Sequence, residues 1–205
     1  MSEVGENKRQ KIMDAVERLF TSRRFHEITL DQVAQKAGVG KGTIYRYFQD
    51  KDDLFFQTAI SGFDELCDLL RRKVSGDAPF YEQLLSACIQ IGTFFRSRKQ
   101  LVRMIQNDEN RMYWQKGNIR ERWMEKRQNL IDALAHIIGK GIAEGKIRAD
   151  IPPDVLTKFL LGMLRTRARD LADAPKAMQQ FDVVLNLFYY GASPMMKSTR
   201  EAEEG

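Results

Sequence analysis

Cysteine and histidine are scarce in this 205-residue chain, with two of each. Cys67 and Cys88 stand far apart in amphipathic stretches, form no CxxC pair and have no histidine at metal-ligand spacing. That excludes a disulfide framework and a structural metal site, and both cysteines read as packing residues. Phosphate-loop, HExxH and GxSxG motifs are missing, and neither His26 nor His136 has an evident nucleophile partner, which argues against an enzyme; no cofactor is expected. No apolar run approaches the roughly 20 residues of a membrane span, and the polar start MSEVGENKRQ lacks the apolar core of a signal peptide. The expected compartment is therefore the cytoplasm, with no membrane partner. No β-branched run alternates with polar residues, so strands have no support, and no repeat at solenoid period is present.

What remains is helical periodicity almost everywhere, in a chain with 43% apolar and 30% charged residues, the composition of a folded globular protein. The net charge of +5 favours polyanionic partners, yet residues 1–51 hold ten Lys and Arg against seven Asp and Glu, so charge alone decides nothing. Ile12, Val16, Leu19 and Phe20 share one face of a first helix, expected over residues 7–23. Thr29 and Gln32 form a capping box for a second helix, with Ile28 and Val33 placed for a hydrophobic staple, and Gly38 marks its end. Gly40 is a weak cap for a short third helix, 41–48, and Asp50 caps a fourth that runs to Lys73. Glycine and proline punctuation divides the remainder into helices at 79–97, 99–110, 118–145, 153–172 and 175–191, about nine helices in all. The tail from Ser193 is expected to be disordered.

Two short helices joined by a glycine-containing turn and braced by a preceding helix form the unit that presents its second helix to the DNA major groove. Thr29 to Phe48 has that layout. On a helical wheel Ile44 and Phe48 point inward, while Gly42, Thr43, Tyr45 and Arg46 take the outer arc and Lys41 marks its start. Lys41 and Arg46 suit phosphates or guanine edges, the hydroxyls of Thr43 and Tyr45 can donate to phosphate, and Gly42 permits close approach. Lys51, with the free N–H groups opening the fourth helix, is placed to grip a phosphate. Two plainer readings stand beside these: Tyr45 and Tyr47 as packing between helices, and Thr29 as a cap alone.

The stretch ending helix one in RLF, followed by ITLDQVAQKAGVGKGTIYRYFQDKDDLF, resembles the TetR family of bacterial repressors over residues 6–66. The resemblance implies an all-α protein in which a three-helix DNA-binding domain, 6–66 with its motif at 29–48, precedes a helical bundle for ligand binding and dimerisation, 67–192. It implies DNA-facing positions at Thr29, Lys41, Gly42, Thr43, Tyr45, Tyr47 and Lys51, to which the wheel adds Arg46. Gly40 departs from the pattern, since similar members usually carry Ser or Thr there, and its recognition helix starts without a side-chain cap.

The resemblance also implies a small-molecule inducer site in the C-terminal part, and Phe95, Met104, Asn107, Arg111, Trp114, Trp123, Arg127, Phe159 and Met163 are candidates to line it, ordinary core being the alternative for each. Arg165 and Arg169 share a helix face, which fits either an anionic ligand or an ion-pair network. The segments 153–172 and 175–191 are apolar over wide arcs. By the resemblance they imply a homodimer through a four-helix bundle, with Leu156, Leu160, Leu164, Val184, Leu185 and Phe188 at the interface and burial within one subunit as the alternative. The expected function is a ligand-responsive repressor that binds a palindromic operator in double-stranded DNA. A helical module that binds other proteins is the competing class.

Overall fold

The computed structural model describes residues 3–99 and 119–193, and among these all regular structure is helical. The α-helices are α1 (Glu3–Leu19), α2 (Leu30–Ala37), α3 (Lys41–Tyr47), α4 (Lys51–Lys73), α5 (Phe80–Ser97), α6 (Ile119–Ala143), α7 (Pro153–Arg169) and α8 (Phe181–Ala192). Short 3₁₀ turns stand at Phe25–Glu27 and Lys176–Gln179. The segments expected as a helix at 99–110 and as a disordered tail lie outside the described residues, apart from their first residue. Two compact units divide the chain: Met1–Leu66 with Ser97–Arg127, and Cys67–Arg96 with Gln128–Gly205.

In the first unit Ile12, Met13, Val16 and Phe20 of the first helical segment share a buried cluster with Val33 of α2, Ile44 of α3, Phe48, and Leu54 and Phe55 of α4. α1 ends at Leu19 instead of residue 23, because the following Thr21–Arg24 stretch is exposed and offers no apolar face to bury. Arg98, just past α5, ties the far end of α1 to α4: its Nη2 lies 2.9 Å from Glu17 Oε1 and 3.2 Å from Glu65 Oε2. Burial of Glu17 pushes its carboxyl above the ordinary carboxylate range, partly offset by the Arg98 charge. Trp123 packs edge-on against Phe63, with ring centroids 5.0 Å apart, and joins this core. That placement agrees with the core alternative for Trp123 and puts it in the first unit.

The second unit is built around α5, α7 and α8. Gly92 of α5 is required for their packing: a Cβ there would fall onto the Phe181 ring, 2.5 Å from Cζ and 3.3 Å from Arg167 Nη1. The Arg167 guanidinium lies 3.7 Å from the centroid of that ring and its Nε donates to the Gln179 carbonyl at 2.6 Å. Gln179 in turn donates to the carbonyls of Ala172 and Ala174. These bonds hold residues 176–179 in a 3₁₀ turn, so the single helix expected over 175–191 is replaced by that turn and a shorter α8. Burial and the nearby Arg96 lower the pKa of Arg167. Cys88 is buried in α5, and burial pushes its thiol up to about 12, consistent with a packing role.

The wide apolar arcs of α7 and α8 resolve into an inner and an outer stripe. Leu156, Leu160, Leu164, Val184, Leu185 and Phe188, expected at a subunit interface, are all buried within the single chain. The stripe that stays accessible carries Phe159, Leu187 and Tyr190, exposed by 65%, 63% and 74%, with Met163 half-buried. Phe159 therefore does not line an enclosed ligand chamber either. Periodicity of 3.6 fixes that both stripes exist but not which one the rest of the chain covers.

Replacing Gly92 by Ala should lower the unfolding free energy by about 1–3 kcal/mol, the usual cost of overpacking a filled core. Urea denaturation followed by circular dichroism checks this, and Gly76→Ala, where an added Cβ meets open space, should cost less.

Candidate nucleic-acid interface

The interface is assembled by local backbone chemistry. Thr29 Oγ1 accepts from the Gln32 N–H at 3.3 Å and the Gln32 side chain accepts from the Thr29 N–H at 3.1 Å, closing both ends of the capping box that starts α2. Gly38 ends α2 in the left-handed region, φ +66°, where a side chain would be strained. The Val39 N–H then returns to the Ala34 carbonyl at 3.0 Å, turning the chain into α3. Gly40 caps α3 without a side-chain hydrogen bond, as its residue type requires.

α3 is only seven residues long and is held from behind. Ile44 and Phe48 are fully buried in the first unit's core. Phe48 lies beneath the Arg9 guanidinium, 5.7 Å from its centroid. Arg9 Nη2 also donates to Gln57 Oε1 at 2.6 Å, Gln57 Nε2 donates to both Asp53 oxygens, and Asp53 Oδ2 accepts from the Gln49 N–H at 2.9 Å. Asp50 Oδ1 accepts from the Asp53 N–H at 2.8 Å and caps α4. One hydrogen-bonded chain thus joins α1, the exit of α3 and the first turns of α4.

The outer arc follows the wheel at Gly42, Tyr45 and Arg46 and departs from it at Thr43. Tyr45 is 53% exposed, and Lys41, Gly42 and Arg46 are exposed, with open space around Gly42 where a Cβ would sit. Thr43 is half-buried and Thr29 exposed. Tyr47 is half-buried against the core, its ring 6.4 Å from that of Phe48, so its body serves packing. The Lys51 ammonium lies 4.3 Å from the Phe25 ring centroid.

Asp31 was not foreseen: its Oδ2 accepts from Lys41 Nζ at 2.9 Å, joining the first turn of α2 to the start of α3. That bond and the carboxylate charge raise the Lys41 pKa above its ordinary value. The pair spans ten residues and a turn, so no helical spacing announces it; the only signal was an acidic residue beside an otherwise basic motif.

Of the candidates for a ligand site, Phe95 is half-buried beside Phe94, Met163 is half-buried and Arg127 is exposed. Met104, Asn107, Arg111 and Trp114 lie outside the described residues. Arg169 pairs with Asp170, its Nε 2.6 Å from Oδ1, in agreement with the ion-pair reading. Among the described residues no helix is long and apolar enough to cross a membrane.

Comparison with known proteins agrees with this geometry. Residues 12–58 match the family model for bacterial regulatory proteins of the tetR family. The HTH-type transcriptional repressor Rv1474c of Mycobacterium tuberculosis is 25% identical over 182 residues, 87% of this chain and 91% of that protein. The HTH-type transcriptional repressor AcnR of Corynebacterium diphtheriae is 24% identical over 153 residues, 75% of each chain. In fold, a FadR regulator from Bacillus subtilis solved with stearoyl-CoA superposes with TM-score 0.76 at 18% identity, covering 89% of this chain and 98% of that one. A TetR-family regulator from Marinobacter aquaeolei VT8 gives 0.75 at 18% identity, covering 95% and 100%. A capped, glycine-turned helix pair matching this family, in an all-helical chain with such relatives, makes the protein a DNA-binding transcriptional regulator, and the chain belongs to the TetR family.

Proposed function

We propose that this regulator is a ligand-responsive repressor that binds a palindromic operator as a homodimer, with α3 in the major groove. The observation that carries the reading is the outer arc of α3, where Gly42, Tyr45 and Arg46 are exposed, with Thr43 half-buried beside them, while the core grips Ile44 and Phe48. In this reading Gly42 lets the helix approach the duplex, Lys41 meets phosphate or a guanine edge, and Thr29, the Tyr47 hydroxyl and Lys51 meet phosphates on either side. A two-fold dimer sets two such helices about 34 Å apart, one turn of the duplex, which matches half-sites of a palindrome.

The dimer surface is assigned to the exposed stripe of α7 and α8, Phe159, Met163, Leu187 and Tyr190. Exposed large apolar side chains on two neighbouring helices suit a self-complementary contact. Ligand response is supported by the structural likeness to the FadR regulator with stearoyl-CoA. A ligand that favours a dimer with a different separation of its α3 helices lowers operator affinity, by a coupling of about 1–3 kcal/mol between linked sites. Titration of stearoyl-CoA against the operator complex is a first test of ligand class.

Fluorescence anisotropy with duplexes selected from a random pool tests the DNA reading, which requires affinity that falls steeply with salt. Tyr45→Ala should weaken binding at least about tenfold, the loss of one hydrogen bond to a charged group at about 1.5–3 kcal/mol, with the melting temperature unchanged. Ile44→Ala should instead lower stability by about 2–5 kcal/mol. Tyr45→Ala protein that binds every selected duplex like the parent would contradict the assignment.

Leu187→Glu should convert the dimer to a single chain in light scattering without loss of helicity, whereas Lys158→Glu, on the same unit but outside that stripe, should leave the mass unchanged. A dimer that survives Leu187→Glu would move the interface elsewhere.

A further inference from the structure

Asp31 is out of keeping with its surroundings. It stands in the first turn of α2, two residues after the capping Thr29, on the surface that the proposed function offers to a polyanion. The capping box is closed by Thr29 and Gln32, so α2 does not need Asp31 as its cap. Its carboxylate makes one hydrogen bond among the described residues, to the Lys41 ammonium. Both side chains stay accessible, 69% for Asp31 and 48% for Lys41, so the pair lies at the surface as a neutral unit. Arg46, one turn further along α3, has no carboxylate partner among the described residues and keeps its charge free.

A cation held by a carboxylate does not neutralise a phosphate until the pair opens. Affinity for arbitrary DNA comes almost wholly from phosphate neutralisation, whereas sequence is read by contacts to base edges. On random DNA the pair stays closed and that phosphate contact is missing, whereas on the operator, where Lys41 is offered its phosphate or guanine edge, the pair opens. The cation is thus withdrawn chiefly from non-operator DNA, while the base-reading groups of α3 stay in place. We infer that Asp31 is a specificity-determining residue, which masks Lys41 from the phosphates of non-operator DNA and so widens the ratio of operator to random-sequence affinity. The inference rests on the DNA reading of α2 and α3 above.

The test compares the parent chain, Asp31→Asn, Lys41→Gln and the double variant, each with a random-sequence duplex and with a selected operator. Asp31→Asn should bind the random duplex more tightly than the parent at low salt. Between about 50 and 200 mM salt its affinity should fall by a further factor of about 3.5, the slope of roughly 0.9 expected for one added phosphate contact on B-DNA. The ratio of operator to random affinity should narrow. Lys41→Gln alone should change random-duplex affinity little, and in its presence Asp31→Asn should bring no gain.

An equal gain from Asp31→Asn with and without Lys41 would show that the carboxylate acts by its own repulsion and would overturn the masking. A loss from Lys41→Gln as large in the parent as in Asp31→Asn would overturn it too, because Lys41 would already be engaging phosphate. Binding by the parent that ignores salt, or no binding to any duplex, would instead overturn the DNA reading on which the inference stands. Equal melting temperatures across the four proteins establish that charge and not folding is compared.

Discussion

A seven-residue helix is too short to hold its own shape in water, where isolated helices below about 12–15 residues are marginal. α3 exists because Ile44 and Phe48 are fixed in a core shared with α1, α2 and the start of α4. The rest of the interface follows from that anchorage. Once Ile44 within the helix and Phe48 at its extended C-cap are immobilised, the short helix has no freedom left to choose which residues it presents, and Gly42, Tyr45 and Arg46 are turned outward by geometry. The hydrogen-bonded chain from Arg9 through Gln57 and Asp53 to the Gln49 N–H adds a second restraint at the exit of α3. Pre-ordering of this kind lowers the entropy lost on binding, since side chains and backbone need not be arranged at the moment of contact.

What was legible in the sequence is what short-range backbone chemistry controls. Thr29 with Gln32, Gly38 and Asp50 each act within three or four residues, and each appears in the structure in the role its residue type implies. The burial of Ile44 followed from helical period, whereas Phe48, expected as the helix's last residue, is buried from an extended C-cap. Features set by distant parts of the chain were not legible. Two apolar stripes on α7 look alike in sequence, and only the surrounding helices decide that Leu160 is covered and Phe159 is not. The break before α8 depends on Arg167 and Gln179, whose bonds to carbonyls twelve and five or seven residues away leave no periodic trace. The Asp31–Lys41 pair is of the same kind.

Electrostatics in this protein are a matter of placement more than of total charge. The chain as a whole carries +5, a modest field, and one of the cations of the helix-turn-helix is already engaged by a carboxylate. A regulator must discriminate an operator from a vast excess of other DNA, and the quantity that matters is the ratio of the two affinities. A surface on which one cation is held by a carboxylate while fixed hydroxyls and the exposed Arg46 guanidinium face outward suits that demand better than a densely basic one. Fold similarity at 18% identity covers 89% of the chain, and a shared helical frame of that extent does not by itself fix what it binds.

The central claim is that the outer arc of α3 touches the duplex. Site-specific photo-crosslinking reads this directly: a benzophenone side chain placed at position 45 should couple to a selected operator on irradiation, while the same group at exposed position 81 of the second unit should not. Crosslinking from position 81 with none from position 45 would contradict the account.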